Sequence, residues 1–338
     1  MERVVIIYHS ADLDGLCSAA IAEKAMQSKT NSVPITLIGM DYPLTKEAEE
    51  KVLRASNDAL VVIVDFCLTK ATMLRMQELS ESMVWLDHHL SSIKEMADTG
   101  VKFDGIQDVS KAACELTWDY FFGHMGMLPQ VQLLGMYDTW RYKNPTDAEA
   151  GYAEHVLPFQ LYARTKLQSV PDFGKWDFFQ GDFLTTYEKG ASWIDFGKAI
   201  VDYRKADLAK RGRLGKILDV YLDRQVEGIP TAILGDHESA LPIPCLGKMF
   251  VINANDFTSA VADHLSEDES ASIVGVLCYC DSGPGQVKIG MYFDHNHKSP
   301  YAKDWGKVCK AYGGGGHPGA AGATISTVSI SDDAVILF

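Results

Sequence analysis

Four short apolar runs, the first three each followed by a helical pattern, dictate most of what the first half of this chain can fold into. VVIIYH opens the series at Val4, VPITLIGM follows from Val33, ALVVIVDF from Ala59 and MVWLDHH from Met83. The first is rich in β-branched residues, and all four are short apolar runs, so they read as buried strands. Helical spacing fills the intervals, over about Leu16–Met26, Thr45–Ala55 and Thr69–Glu81. A βαβα order implies a mostly parallel sheet flanked by helices, and ligands of such sheets gather at the carboxyl ends of the strands.

Those ends carry an unusual set of side chains. IYHSADLDGL places His9, Asp12 and Asp14 after the first run, Asp65 ends the third, and Asp87, His88 and His89 end the fourth. Asp138 sits among apolar neighbours in LLGMYDTWRY. Taken singly, each has an ordinary reading. Asp12 or Asp65 would cap the next helix, a histidine would be hydrogen-bonded in the core, and Asp138 would pair with Arg141. Taken together these readings fail, because acids converging on one sheet edge repel and cost several kcal/mol each when buried unpaired. Carboxylates interspersed with imidazoles suit divalent ions, manganese first, with magnesium or cobalt as alternatives. Six ligands exceed what one open site needs and suit two ions about 3.5–4 Å apart. Such a pair makes hydroxide from water near neutral pH and clamps a phosphoryl group for in-line attack.

The net charge of −14 and the absence of a dense basic run exclude a long duplex as partner. The nearest candidate, RKADLAKRGRLGK from Arg204, reads as a solvated connector. No apolar run reaches about 18 residues and MERVVIIYHS has no basic leader, so neither a membrane span nor a signal peptide is expected. Seven scattered cysteines fit reduced thiols and a cytoplasmic location, and the CxC of Cys278 and Cys280 falls in a strand-like run.

From Lys111 to Tyr142 and from Ala153 to Arg211 the pattern is helical. The second stretch is rich in aromatics (Phe159, Tyr162, Phe173, Trp176, Phe178, Phe179, Trp193), most of them core, with one or two available to stack a base. Strand-like runs return after Asp219, with one helix expected over FTSAVADHLSE. A length of 338 residues calls for two domains. The expected organisation is a catalytic α/β domain with helical extension over 1–205, a connector over 206–225 and a smaller α/β domain over 226–338. Near the end, GGGGHPGAAG removes every side chain from Gly313 to Gly316 ahead of His317, allowing a ligand to approach backbone N–H groups. PGAAG is expected to open a small-residue helix whose N-terminus favours anions.

HSADLDG, VDF, LDHH, an Asp in a later helix and GGGGHPGAAG together resemble the DHH phosphoesterase superfamily. Within it they resemble the subgroup with the DHH-associated C-terminal nucleotide-binding domain, which includes nanoRNases and RecJ-type exonucleases. The resemblance covers about Val4 to Asp138 and Val251 to Thr324, and leaves 145–220 unmatched. It implies that His9 and Asp12 ligate one manganese, that Asp14, His88 and Asp138 ligate the second, and that Asp65 bridges. Asp87 would orient an imidazole, and His89 would face the scissile phosphate. Gly314, Gly315, Gly316 and His317 would hold the far nucleotide, with Arg141 a further phosphate contact. The family's substrate-gripping arginine is missing from IGMYFDHNHKSP, where Lys298 or His297 would substitute. The implied activity is hydrolysis of short single-stranded oligonucleotides or dinucleotides to 5′-mononucleotides, with the two domains enclosing the substrate. Alternatives are a cyclic nucleotide, cyclic dinucleotide or small phosphomonoester as substrate, RecJ-like single-strand exonuclease action, and a non-catalytic nucleotide-binding relative. A homodimer is compatible with all of these.

Overall fold

The computed structural model describes residues 3–30, 33–180, 191–211, 215–234, 241–253, 272–292, 304–317, 319–331 and 333–338. The chain separates into two compact units, 1–203 and 204–338.

In the first unit five strands form one parallel sheet in the order β2-β1-β3-β4-β5. They are β1 (Val4–His9), β2 (Ile35–Met40), β3 (Leu60–Val64), β4 (Ser82–Asp87) and β5 (Asp104–Gln107). Helices α1 (Leu13–Thr30), α2 (Lys46–Ser56), α3 (Lys70–Leu79) and α4 (Leu90–Ala97) connect them, and α5 (Ala113–Phe122) and α6 (Pro129–Asp138) follow. Side chains alternate across the sheet. Val4, Ile6, Val62, Val64 and Leu86 pack with α1, α5 and α6, while Val5, Ile7, Val61, Ile63 and Trp85 pack with α2 and α3. Burial on both faces explains why these strands read as continuous apolar runs rather than alternating ones. The expected helices start where their caps stand: the Thr45 hydroxyl accepts from Ala48 N at 3.2 Å to open α2.

β5 and α4 went unread in the sequence. DGIQ has one apolar residue, so it carries no strand signal of its own and is held by pairing with β4 from Val84↔Asp104 to Asp87↔Gln107. The order 2-1-3-4-5 reverses direction between β1 and β3, and a crevice at that point is where an open parallel sheet receives ligands.

After α6 come α7 (Ala153–Lys166), α8 (Val170–Lys175) and α9 (Trp193–Arg211). Phe159, Phe173, Phe178 and Trp193 are fully buried in the core shared with α1, and Tyr162, Trp176 and Phe179 pack against it. The aromatic-rich middle is core.

The second unit is a mixed sheet in the order β11-β12-β10-β9-β8-β6-β14-β13, with β7 on β8. Its strands are β6 (Lys216–Leu222), β7 (Thr231–Leu234), β8 (Leu241–Asn253), β9 (Gly275–Gly283), β10 (Gln286–Tyr292), β11 (Gly315–His317), β12 (Ala320–Ile325), β13 (Val328–Ile330) and β14 (Ala334–Leu337). A helix, α10 (Trp305–Ala311), buries Trp305, Val308 and Cys309 against it. Cys278 lies buried in β9, and burial pushes its thiol up to about 12, which leaves it a neutral core group.

One expectation is corrected here. PGAAG opens no helix: Gly315–His317 and Ala320–Ile325 form an antiparallel hairpin, with Gly316↔Ala321 and His317↔Ala320 paired. Ala321, Ala323 and Ile325 turn inward at period two, and β10 pairs along the other side of β12. Tertiary pairing thus overrides the helical propensity of the alanines. The helix expected over FTSAVADHLSE, and His297 and Lys298, lie outside the described residues.

Candidate metal centre

Register puts the acids at one level. The β1–β3 ladder ends at Tyr8↔Val64 and the β3–β4 ladder at Val64↔Leu86, so His9, Asp65 and Asp87 each stand one step beyond. The chain then turns sharply from β1 into α1. Asp12 Oδ1 accepts from Gly15 N at 3.0 Å, so the capping reading holds for Asp12. Gly15 must be glycine, because a Cβ there would stand 2.1 Å from the His9 carbonyl oxygen.

Asp65 is no cap: α3 starts at Lys70 behind Thr69. Instead Asp65 holds the left-handed conformation at φ +54°. For a residue other than glycine this costs on the order of 1 kcal/mol, the kind of strain that collects at functional sites.

Two further elements complete the site. α5 aims its first N–H groups at Asp14, with Ala113 N at 2.9 Å and Cys114 N at 2.8 Å from its carboxylate oxygens. Asp138 is the last residue of α6. His88 Nε2 then lies 3.6 Å from Asp14 Oδ2, 3.3 Å from Asp65 Oδ1 and 3.4 Å from Asp138 Oδ2. Neither Asp65 Oδ1 nor Asp138 Oδ2, both buried atoms, has a hydrogen-bond partner among the described residues.

Among the described residues, ligand-type atoms gather into three groups, each within 4.8 Å: His9, Asp12 and Asp65; Asp14, His88 and Asp138; and Asp65, His88 and His89. The first two groups bring together the six residues expected to ligate metal, and Asp65 belongs to the first while approaching the second at His88. The donor set, oxygen-rich with imidazole nitrogen and with buried oxygens left unsatisfied, fits divalent cations.

The electrostatics lead to the same conclusion. Burial, then the charge of Asp138, pushes Asp14 up to about 6. Burial and the neighbouring Asp14 raise Asp65 well above the usual carboxylate range, and burial raises Asp138. Burial would lower His88, yet Asp138 and Asp14 raise it. The cluster holds more negative charge than its imidazoles neutralise, and cations would relieve it.

Asp87 differs. It is fully buried, and its Oδ1 accepts from His88 N (2.7 Å) and His89 N (3.1 Å) and meets His89 Nδ1 at 2.7 Å. Burial opposes ionisation, but the charge and hydrogen bond of His89 hold Asp87 below its ordinary value. In return Asp87 lifts His89 to about 9 against its own burial. Asp87 therefore fixes the His89 ring, which remains partly exposed at 31%.

Arg141 does not pair with Asp138. Its Nη2 donates to Glu115 Oε1 and Oε2 at 2.7 and 2.6 Å, and its Nε lies 3.4 Å from Glu149. The pair ties the segment after Asp138 to the first turn of α5, the turn that holds Asp14. A Cβ on Gly135 would stand 2.4 Å from Glu115, so this glycine lets the two helices close around the pair. Sequence reading missed Glu115, although an acid three residues into a helix is a capping signal, and Glu115 Oε2 does accept from Ala112 N at 3.1 Å.

In the second unit the four glycines have separate reasons. Gly313 and Gly316 hold positive φ (+77° and +137°), and a Cβ on Gly314 would stand 2.1 Å from the Gly322 carbonyl oxygen. A Cβ on Gly315 would meet nothing within 4 Å. Packing or a positive φ accounts for Gly313, Gly314 and Gly316, whereas Gly315 has neither constraint.

Residues 3–136 match the model of the DHH family, N-terminal domain. No curated protein matches the chain. Among solved structures, an uncharacterized protein from Helicobacter pylori G27 is 14% identical, with 97% of this chain and 94% of that one covered and a TM-score of 0.33. The pGpG-specific phosphodiesterase PggH from Vibrio cholerae is 14% identical over 96% and 93%, with a TM-score of 0.42. RecJ in complex with Mn2+ from Thermus thermophilus is 13% identical over 95% of this chain and 49% of that one, with a TM-score of 0.45. At these scores the likenesses carry no argument about activity. The matched span contains the sheet edge that carries His9, Asp12, Asp14, Asp65, Asp87, His88 and His89.

Proposed function

We propose that this chain, whose first unit carries a DHH family domain, is a two-cation phosphodiesterase that hydrolyses short single-stranded oligonucleotides or dinucleotides to 5′-mononucleotides. One observation carries the reading: Asp14, Asp65 and Asp138 converge on His88 Nε2 with two of their buried oxygens unsatisfied, while His9 and Asp12 face Asp65 from the other side. In the proposed centre His9, Asp12 and Asp65 hold one cation, Asp14, His88, Asp138 and Asp65 hold the other, and manganese is the favoured ion. Bound cations would lower the pKa of water and offset the charge on a phosphoryl group. His89, steadied by Asp87, would donate to a phosphate oxygen or a leaving oxygen. Gly315, with Gly314, Gly316 and His317 around it, is proposed to receive the far end of the substrate.

The acidic charge of the chain supports short substrates over long ones. A cyclic dinucleotide or a small phosphomonoester is the alternative substrate. Arg141 is committed to Glu115 and Glu149, which favours a supporting role for it over direct phosphate contact.

A turnover assay tests the proposal. RNA and DNA ladders of two to about twenty nucleotides, cyclic dinucleotides and a phosphomonoester are compared with manganese and with chelator. Fastest cleavage of the shortest oligonucleotides, lost with chelator, is expected. Faster shortening of long DNA, or activity that survives chelation, would overturn it.

A further inference from the structure

We propose that Tyr42 is a stacking platform for the nucleobase of the nucleotide whose phosphate is held beside His9 and Asp12. The inference rests on the phosphodiesterase reading of that site and adds a subsite to it. Tyr42 follows β2 at the same carboxyl edge of the sheet. Its ring centroid lies 6.2 Å from that of His9, and both rings approach Phe66, Tyr42 at 4.7 Å and His9 at 6.0 Å.

The ring is fixed in place by several contacts. One face stacks on the buried Phe66 at an interplanar angle of 27°. Its hydroxyl donates to the Cys67 carbonyl oxygen at 2.9 Å, and its backbone N–H donates to Asp41 Oδ1 at 2.8 Å. A tyrosine covered on one face and bonded at its tip should be largely buried, yet Tyr42 remains 47% exposed. The ring face away from Phe66 is the surface assigned to the base. A rigid π-surface with no free polar role, one histidine away from a cation group, matches a base separated from its phosphate by a ribose.

Stacking tolerates any base, since every base has a π-face. The platform should therefore separate nucleotides from sugar phosphates while discriminating little among bases. The pinned ring also loses little conformational freedom on binding.

The test is equilibrium binding of adenosine 5′-monophosphate and ribose 5-phosphate to the full chain with manganese, read by calorimetry. The wild-type chain should prefer the nucleotide by roughly five- to a hundredfold. Tyr42→Ala should bring that ratio close to one and leave ribose 5-phosphate affinity unchanged, while Tyr42→Phe and Tyr42→Trp keep it. A wild-type ratio near one, an undiminished ratio in Tyr42→Ala, or equal losses in Tyr42→Phe and Tyr42→Ala would overturn the platform, as would failure of both ligands to bind. Because the readout needs no turnover, a chain that prefers the nucleotide but cleaves no diester would keep the platform and sink the hydrolase reading.

Discussion

Asp65 Oδ1 lies 3.3 Å from His88 Nε2 and makes no hydrogen bond to it or to any other group among the described residues. A buried carboxylate oxygen left this way costs several kcal/mol unless a cation completes it, and here the backbone is also held at φ +54° to put it there. Asp65→Asn keeps the shape and removes the charge. Turnover should fall by more than about a hundredfold, beyond the usual effect of losing an outer-shell partner. Manganese titration should show fewer than two ions bound. Activity within tenfold of wild type, roughly the smallest outer-shell effect, would contradict a shared ligand.

The metal-free chain should lose stability as pH rises. Asp14 is raised from 3.8 to about 6, so its protonated form favours folding at low pH and that contribution disappears as pH climbs through about 6. His89 is raised from 6.5 to about 9, so its contribution is complete below 6.5 and lost by about 9. Both act in the same direction. Thermal melts with chelator should therefore decline across that range, and manganese should reverse the decline, most strongly at the alkaline end.

Glu115 and Arg141 should act on the second cation only. Their pair anchors the segment after Asp138 to the turn that binds Asp14. Glu115→Gln keeps the size and weakens the pair. One of the two manganese affinities should drop by about ten- to a hundredfold, as for other outer-shell changes, with the other unmoved. Equal loss at both sites would point to general unfolding instead.

The glycines of the β11 hairpin should separate by role. Gly314→Ala forces a Cβ against the Gly322 carbonyl and should lower the melting temperature. Gly315→Ala meets open space, so it should melt like wild type while nucleotide binding weakens. Wild-type binding by Gly315→Ala would remove this position from the substrate site.

The sheet and its acidic edge were legible because both depend on local signals. Apolar runs that end in Asp or His announce a strand and what lies at its carboxyl end, and parallel pairing then forces His9, Asp65 and Asp87 to one level. Two kinds of feature were not legible. The left-handed turn at Asp65 has no glycine to signal it, and the Glu115–Arg141 pair joins residues 26 positions apart through helix packing. PGAAG suggests a small-residue helix to a local reading, and only the pairing of Ala320–Ile325 with β10 and β11 decides otherwise. Tyr42 was passed over because one exposed aromatic in a loop gives no pattern at all.

The most direct measurement is crystallographic: anomalous scattering at the manganese edge from crystals grown with the metal. The account predicts two peaks, one among His9, Asp12 and Asp65 and one among Asp14, His88 and Asp138, with the Asp65 carboxylate touching both. A single peak, or two peaks that Asp65 does not bridge, would contradict it.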